Sequence, residues 1–321
     1  MDTELVKQKS EIVDKIQNEI AKVFVGKEEQ IKLLLIGFIS GMHVLLEDIP
    51  GVGKTTLAKC VAKSVGLDFC RIQFTPDLLP GDIIGMNIWS FEKRQFLFKK
   101  GAIMHQFILA DELNRASPRT QSSLLEAMQE GHVTVDGRTF LLEQPFFVLA
   151  TQNPVTFIGS FLLPEAQVDR FGMTITIGYL HEYDEIKMLQ RFQKQNPITE
   201  LKTVASPEDI NTIRQIIHQI HVDESIHRYI VKIGNKTRNH RFIKLGLSPR
   251  ALQHLLLAAQ AKAFSDKRSY VIPEDILNVA QPVLSHRLVL TAEARLEEKT
   301  ADQIIYMIKQ EVEKPTGINK N

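Results

Sequence analysis

The sequence predicts an α/β protein, a parallel sheet covered by helices and followed by an all-helical unit. Three observations carry that prediction. Short apolar runs at 43–46, 69–74, 107–110, 146–151 and 173–177 are separated by helical or hairpin segments, the alternation that builds parallel sheets. The first run leads through a glycine-rich loop straight into a helical stretch. Past about residue 180 strand-like runs nearly vanish and helical patterns dominate through Ile308. We therefore expect an αβα core over 1–180 and an all-α domain over 181–321.

Each element has a local reason. Ile12, Val13, Ile16, Ile20 and Val23 recur at helical spacing, so the chain opens with an amphipathic helix expected to end near Val25-Gly26, and a second helix is expected over 28–40. The strand at 43–46 enters the loop, after which 55–65 reads as a helix closed by Gly66. Ser117-Pro118 supplies a cap and a proline at the first helical position, and Gly131 stops the helix over 119–130. Val133-Thr134-Val135-Asp136-Gly137-Arg138-Thr139-Phe140 alternates around Asp-Gly, a tight-hairpin signal. A second hairpin is expected over 83–100, turning at Phe91-Glu92-Lys93-Arg94, and the tail over 314–321 is expected to fray.

Hydrophobic residues make up 44% of the chain and charged ones 24%, a balance that buries real cores. A formal net charge of +1 provides no global field that would select nucleic acid, anionic lipid or an acidic substrate. The cysteines, Cys60 and Cys70, lie in apolar runs and read as buried thiols of a reducing compartment. The N-terminus lacks the apolar segment and cleavage site of a signal peptide, so a cytoplasmic location is the expectation. The most apolar stretch, 31–46, is broken by Gly37, Ser40, Gly41 and His43, short of the roughly 18 continuous apolar residues of a membrane span. His218 and His221 have no Cys or Glu at metal spacing and read as ordinary surface or core histidines.

The chemistry concentrates at 47–56, EDIPGVGKTT. In Pro50-Gly51-Val52-Gly53-Lys54-Thr55 the glycines let backbone N–H groups turn toward phosphate, Lys54 can reach the β and γ oxygens, and Thr55 can ligate Mg²⁺; Thr56 completes the set. The strict pattern asks for glycine five residues before Gly53, and Asp48 stands there instead. Aspartate tolerates unusual backbone angles. Asp48 is therefore counted with the loop as its border, and Glu47 is expected to point away from the nucleotide. Phe107-Ile108-Leu109-Ala110-Asp111-Glu112 is an apolar strand ending in two acids. Asp111 is suited to hold hydrated Mg²⁺ and Glu112 to polarise the water that attacks the γ-phosphorus.

Together with Val25-Gly26-Lys27, LPGDIIG at 79–85, ILADELNRASPRTQSSLLEAMQEG at 108–131, LATQNP at 149–154, LPEAQVDRF at 163–171 and Ser248-Pro249-Arg250, these residues resemble the AAA+ ATPases, and more narrowly the MoxR family, over nearly the whole chain. The resemblance implies a P-loop NTPase core with a five-stranded parallel sheet, hairpin insertions and a C-terminal helical lid. It implies ATP and Mg²⁺ as cofactors, bound between neighbours of a ring-type homo-oligomer, a hexamer, whose assembly depends on nucleotide. Asn153 matches sensor 1, which helps orient the attacking water, a task suited to an amide that donates and accepts at once. Arg170 matches the arginine finger that reaches the neighbour's γ-phosphate. Arg250 matches sensor 2, which couples the lid to the γ-phosphate of its own subunit, and Val25 and Gly26 match the segment bordering adenine. Two plainer alternatives stay open: an ion pair of Arg170 with Asp169 or Glu165, and a solvated first-turn Arg250. Arg115 and Arg119 also lie near where a neighbour would dock in such rings.

The hairpins at 83–100 and 133–142 resemble family insertions that point toward the pore or the bound client. Phe91, Phe96 and Phe98 with Lys93, Arg94, Lys99 and Lys100 form either a stacking and phosphate-contacting surface for nucleic acid or one buried and one solvated face of a hairpin, and the second is expected. The implied function is chaperone-like remodelling of a protein client, with a partner bearing a metal-dependent adhesion-type domain implied by the resemblance alone. One rival is a nucleic-acid-dependent translocase, against which the near-neutral charge argues. The other is a nucleotide-gated switch with little turnover.

Overall fold

The computed structural model describes residues 3–153, 161, 163–194 and 197–315. Pro154 of LATQNP and residues 316–321 of the tail lie outside the described residues.

Helices α1 (Thr3–Ala21) and α2 (Glu28–Ile39) open the chain. α1 stops short of the expected Val25-Gly26 because the amides of Val23 and Phe24 turn back onto the Ile20 carbonyl and Gly26 takes φ +71°. Val23 and Phe24 are nevertheless buried, so their spacing imitates a continuing helix. Strand β1 (Val44–Glu47), α3 (Lys54–Val65) and β2 (Phe69–Gln73) follow, with Gly66 at φ +70° ending α3. A short α4 (Pro80–Ile84) leads into the hairpin β3 (Gly85–Ser90) and β4 (Gln95–Lys100), then β5 (Phe107–Asp111). Helix α5 (Pro118–Glu130) starts at a Ser117 cap and ends at Gly131. The hairpin β6 (His132–Val135) and β7 (Arg138–Leu141) turns at Asp136 and Gly137, both at positive φ. Strand β8 (Phe147–Gln152), α6 (Glu165–Val168) and β9 (Met173–Ile175) complete the core.

The five-stranded sheet is parallel, in the order β2-β5-β8-β1-β9. The central strands β5 and β8 are buried along their length, which is why they read as unbroken apolar runs. One sheet face, carrying Val44, Leu46 and Leu109, packs with α1, α2, α3 and the C-terminal helices; the other, carrying Leu45, Ile108 and Val148, packs on α5. Loops leaving the C-terminal ends of β1, β5 and β8 meet at one edge, the side where open α/β sheets bind ligands.

Beyond the sheet come α7 (Glu182–Lys194), α8 (Pro207–Ile217), α9 (Glu224–Arg238), α10 (Pro249–Ser265), α11 (Pro273–Leu284), α12 (Ala292–Leu296) and α13 (Ala301–Glu311). A small antiparallel ribbon of β10 (Ile243–Leu245) and β11 (Val289–Leu290) interrupts the helices and is too short to leave a sequence pattern. No helix among the described residues is long and apolar enough to cross a membrane.

The β3–β4 hairpin departs from the expected one-buried-face arrangement. Trp89 is 46%, Phe91 87% and Phe96 68% exposed. Phe98 instead stacks on Phe140 of the second hairpin, with ring centroids 4.0 Å apart and planes 11° from parallel. Asn87 donates to the Asp136 carboxylate at 2.7 Å, so the two hairpins form one arm with its aromatic end in solvent.

Candidate nucleotide site

From β1 the chain turns through the glycine loop into α3. Gly51 and Gly53 sit at φ +89° and +90°, where a side chain would be strained. The space over Gly51 is open, while Gly53 is backed by the Phe24 ring. The first amides of α3 have no intrahelical partner, so loop and helix end present donors and a positive dipole end together. Lys54 Nζ donates to the Asp48 carbonyl at 2.7 Å. Burial lowers the pKa of Lys54 while Asp48, Asp111 and Glu112 pull it upward, so these charges share one neighbourhood.

The two acids at the loop entrance have separate tasks. Asp48 is buried. Its Oδ2 accepts from the amides of Ile177 at 2.6 Å and Gly178 at 2.7 Å, and its Oδ1 from that of Ile49 at 2.8 Å. The carboxylate thus braces the loop against the chain leaving β9. Asp48 belongs with the binding loop by position, but its side chain is committed to backbone amides. Glu47 faces a cleft of about 880 Å³ that it lines with Thr174, Asp302 and Lys309. Burial first, and then Asp302, raise its pKa.

Asp111 ends β5 and Glu112 follows it. Thr151 of β8 joins them: its hydroxyl donates to Asp111 Oδ1 at 2.7 Å and accepts from the Glu112 amide at 2.8 Å. Glu112 sits at φ +57°, ψ +48°, a conformation unusual for a residue other than glycine. Arg71 of β2 donates to Asp111 Oδ2 through Nε at 3.0 Å and Nη2 at 2.6 Å, and to Gln73 Oε1 at 2.6 Å. Gln73 Nε2 and Arg115 Nη1 each donate to Glu112 Oε2 at 2.8 Å. Asn153 follows β8 directly, and its carbonyl accepts from the Asn114 side chain at 3.3 Å. Sequence reasoning does not single out Thr151, Arg71 or Gln73. Thr151 was within reach, because pairing β5 with β8 in parallel puts it beside Asp111, two residues before Asn153. Arg71 and Gln73 alternate with apolar residues on an edge strand and look like ordinary surface.

A cavity of about 450 Å³ opens beside the loop, walled by Val25, Gly51, Thr56, Gly178, Met188 and Phe192 among others. Gly26, at φ +71°, passes so close beneath Asp184 that a Cβ would stand 2.5 Å from its carboxyl carbon. The glycine cradle, Lys54, and the hydroxyl and carboxylate of Thr55 and Asp111 are the donor set that a nucleotide phosphate chain and Mg²⁺ require.

Arg170 and Arg250 come together, but at the other end of the sheet. With His43, Met128 and His254 they line a cavity of about 270 Å³. His43 precedes β1 and the phosphate loop follows it, so about one strand length, roughly 13 Å, separates the arginines from the loop of their own chain. Arg250 therefore does not line the cavity beside the phosphate loop of its own chain. Its helix α10 begins at Ser248, whose hydroxyl is held by Asp169 at 3.3 Å, and this fixes the helix start beside Arg170. The ion pair of Arg170 with Asp169 or Glu165 is not formed; Asp169 faces Arg287 at 3.5 Å. Among the described residues neither Arg170 nor Arg250 has a side-chain hydrogen bond or salt bridge.

Residues 43–173 match the family described as ATPase family associated with various cellular activities (AAA), and 235–308 match the AAA lid domain. The chain is 39% identical over 306 residues to Chaperone MoxR1 of Mycobacterium tuberculosis, covering 92% of this chain and 81% of that one. It is 46% identical over 304 residues to YeaC of Bacillus subtilis, covering 95% of each. A crystal structure of a Cytophaga hutchinsonii protein, 41% identical, superposes with a TM-score of 0.91 over 98% of both chains.

Proposed function

This chain belongs to the MoxR family of AAA+ ATPases, and we propose that it hydrolyses ATP to remodel a protein client. The observation that carries hydrolysis is the convergence of Lys54, Asp111 and Glu112 at the ends of β1 and β5, with Thr151 tying the two acids together. Bound Mg²⁺ neutralises phosphate charge, and Thr55 and Asp111 are the residues that would hold it. Lys54 and the loop amides grip the β and γ oxygens. Glu112 accepts a hydrogen bond from water and Asn153 orients it, so that the water oxygen bonds to the γ-phosphorus as the bond to the β,γ-bridging oxygen breaks, ADP leaves with the electron pair, and the water's proton passes to Glu112 and from it to the released phosphate.

Arg170 and Arg250, without side-chain partners among the described residues and on the far edge, serve the γ-phosphate of a neighbouring subunit in this proposal, so turnover depends on a ring, taken as a hexamer. The division into core and lid near residue 180 is supported by the two family matches falling on either side of it. A protein client is supported by the word chaperone in the name of the MoxR1 relative and by the solvent-facing aromatic arm, and a partner bearing a metal-dependent adhesion-type domain is proposed on the family resemblance alone. A reducing, cytoplasmic setting is supported by the free thiols of Cys60 and Cys70. The same arm favours a second reading, a nucleic-acid-dependent motor, since its exposed rings stand beside Lys93, Arg94, Lys99 and Lys100. Salt-sensitive stimulation of phosphate release by single-stranded DNA would select it.

The test has two arms. Wild-type protein should release phosphate steadily and Lys54→Ala and Glu112→Gln should not; Glu112→Gln should hold its client in a pulldown with ATP. Recovery of nothing beyond the wild-type background would remove the remodelling proposal. Mixing Glu112→Gln, which keeps its arginines, with Arg170→Ala, which keeps its acids, should restore part of the activity that each lacks alone. No recovery would sink the action of Arg170 across subunits.

A further inference from the structure

The side chain of Arg170 has no hydrogen bond or salt bridge among the described residues, so its aim is set by the backbone that carries it. That backbone is the turn at the end of α6, and it is anchored on two sides. On the sheet side the Gly172 amide donates to the His43 carbonyl at 2.8 Å. On the other side stands Arg287, 116 residues beyond Phe171, at the end of the 3₁₀ turn Ser285–Arg287 that follows α11. Its Nη2 donates to the Phe171 carbonyl at 2.5 Å and to His254 Nδ1 at 2.6 Å. Its Nε donates to His286 Nε2 at 3.0 Å, and its Nη1 faces Asp169 Oδ1 at 3.5 Å. One guanidinium thus grips both sequence neighbours of Arg170, the carboxylate before it and the carbonyl after it.

Packing alone does not explain this residue. Arg287 is 6% exposed and has one carboxylate at a loose distance. Burial lowers its pKa to about 10; Asp169 opposes that shift and the nearby Arg250 adds to it. A buried cation so placed costs free energy that an apolar side chain of the same volume avoids. What the planar fork supplies is geometry, several donors in fixed directions that neither methionine nor lysine reproduces. The two histidines fit as its acceptors, since burial first, and then Arg287 itself, lower the pKa of each to about 3 and keep the rings neutral. Asp169 also accepts from the Ser248 hydroxyl at 3.3 Å, so the start of α10, and with it Arg250, is tied to the same turn. We infer that Arg287 is a positioning residue for hydrolysis in the neighbouring subunit: it holds the turn over 169–171 so that Arg170 meets the γ-phosphate across the interface. The inference rests on the proposal that Arg170 acts on a neighbour, and Arg287 itself touches no nucleotide.

The experiment compares wild type with Arg287→Met, which has similar volume but no charge and no donors, and with Arg287→Lys, which keeps the charge. Phosphate release is followed over a range of ATP concentrations. An arginine that acts on the transition state sets kcat, so kcat should fall while KM for ATP stays nearly constant. Misplacing such a group by about 1 Å costs on the order of a hundredfold, the fall expected of Arg287→Met, and Arg287→Lys should retain more. Mixing the variants then locates the defect. Glu112→Gln keeps its arginines, so its mixture with Arg287→Met should regain activity. Arg170→Ala mixed with Arg287→Met should stay inactive, because no subunit then offers a well-aimed Arg170. Recovery in that second mixture would put the defect in the variant's own nucleotide site and overturn the inference, as would an unchanged kcat or recovery in neither mixture. Should Arg287→Met not fold, Arg287→Lys in the same two mixtures decides. The mixture of Glu112→Gln with Arg170→Ala separates the two levels: if it stays inactive the action of Arg170 on a neighbour has failed, and if it recovers while Arg287→Met with Glu112→Gln does not, the positioning role alone has failed.

Discussion

Replacing Asp48 with alanine strips three acceptor contacts from the phosphate loop at once, those to the amides of Ile49, Ile177 and Gly178. Ile177 is buried, so its amide loses its partner with no water to replace it; the other two are half-buried and recruit solvent in part. An unsatisfied buried donor costs about 1–3 kcal/mol and a partly wetted one less, which places the whole loss at about 3–4 kcal/mol. For a chain of this size that lowers the melting temperature by on the order of 5–8 °C. Asp48→Asn keeps one carbonyl oxygen for Ile177 and Gly178 but turns its NH₂ group toward the Ile49 amide, so about half the loss is expected. Thermal melts of the three proteins without nucleotide measure this, and mant-ATP titration measures the loop. A bracing carboxylate predicts weaker nucleotide binding in Asp48→Ala, because the loop is released. A carboxylate resting on phosphate would repel it, and its removal would tighten binding. Melting within about 1 °C of wild type, or tighter mant-ATP binding, refutes the brace.

Thr151→Val keeps the shape and removes the hydroxyl between Asp111 and the Glu112 amide; phosphate release should fall at least about tenfold with mant-ATP affinity little changed, and full turnover would show that the bridge is dispensable. His43 accepts from the Val148 amide at Nδ1 and faces the Met128 carbonyl with Nε2, which is the neutral form, and burial lowers its pKa to about 4. Since that lies below the value of about 6.5 in the unfolded chain, its stabilisation is complete above pH ~6.5 and is lost as pH falls toward 4, by about 2–3 kcal/mol; His254 and His286, lowered to about 3 mainly by burial, act in the same direction. The melting temperature should drop between pH 7 and pH 5, and His43→Gln should drop less; equal drops would contradict this assignment. Trp89, the one tryptophan, should be quenched readily by acrylamide in free protein and shielded on client binding, and Phe98→Ala, which removes a stacked pair worth about 0.5–1.5 kcal/mol, should weaken capture by Glu112→Gln without lowering basal turnover.

Much of the core was legible because a parallel sheet covered on both faces turns its strands into continuous apolar runs, and because Ser117, Gly131 and Asp136-Gly137 announce their caps and turn by their own chemistry. The phosphate loop and the acids after β5 were legible for the same local reason: loop and strand end carry their function within a few residues. What escaped is what depends on distant contacts. Which end of the sheet Arg250 occupies is decided by the Ser248 hydroxyl meeting Asp169 and by α10 packing against α2, neither of which leaves a mark near residue 250. The aromatic pattern of β3 and β4 does describe a hairpin face, but whether that face is covered depends on what lies opposite, and beyond Phe140 the rings remain in solvent. Arg71 and Gln73 were invisible because one polar residue in two on an edge strand is the ordinary solvent pattern.

In this chain the acids of the site are already engaged, Asp111 by Arg71 and Glu112 by Gln73 and Arg115, and the strength of that hold decides what limits turnover. Arg115 is 52% and the Glu112 side chain 32% exposed, so their ion pair is worth less than about 1 kcal/mol. The neutral bond from Gln73 adds about 1 kcal/mol. Freeing Glu112 therefore costs about 2 kcal/mol, a factor of roughly 30 in population, which differential binding of Mg²⁺ and ATP supplies easily. Absence of an arginine at the transferring phosphoryl group costs about 10³–10⁵ in rate. The larger factor decides: on the proposed mechanism an isolated chain is slow because its arginines stand one strand length from its own phosphate loop, and release of Glu112 alone, as in Gln73→Ala, should speed it only modestly while assembly supplies the remainder.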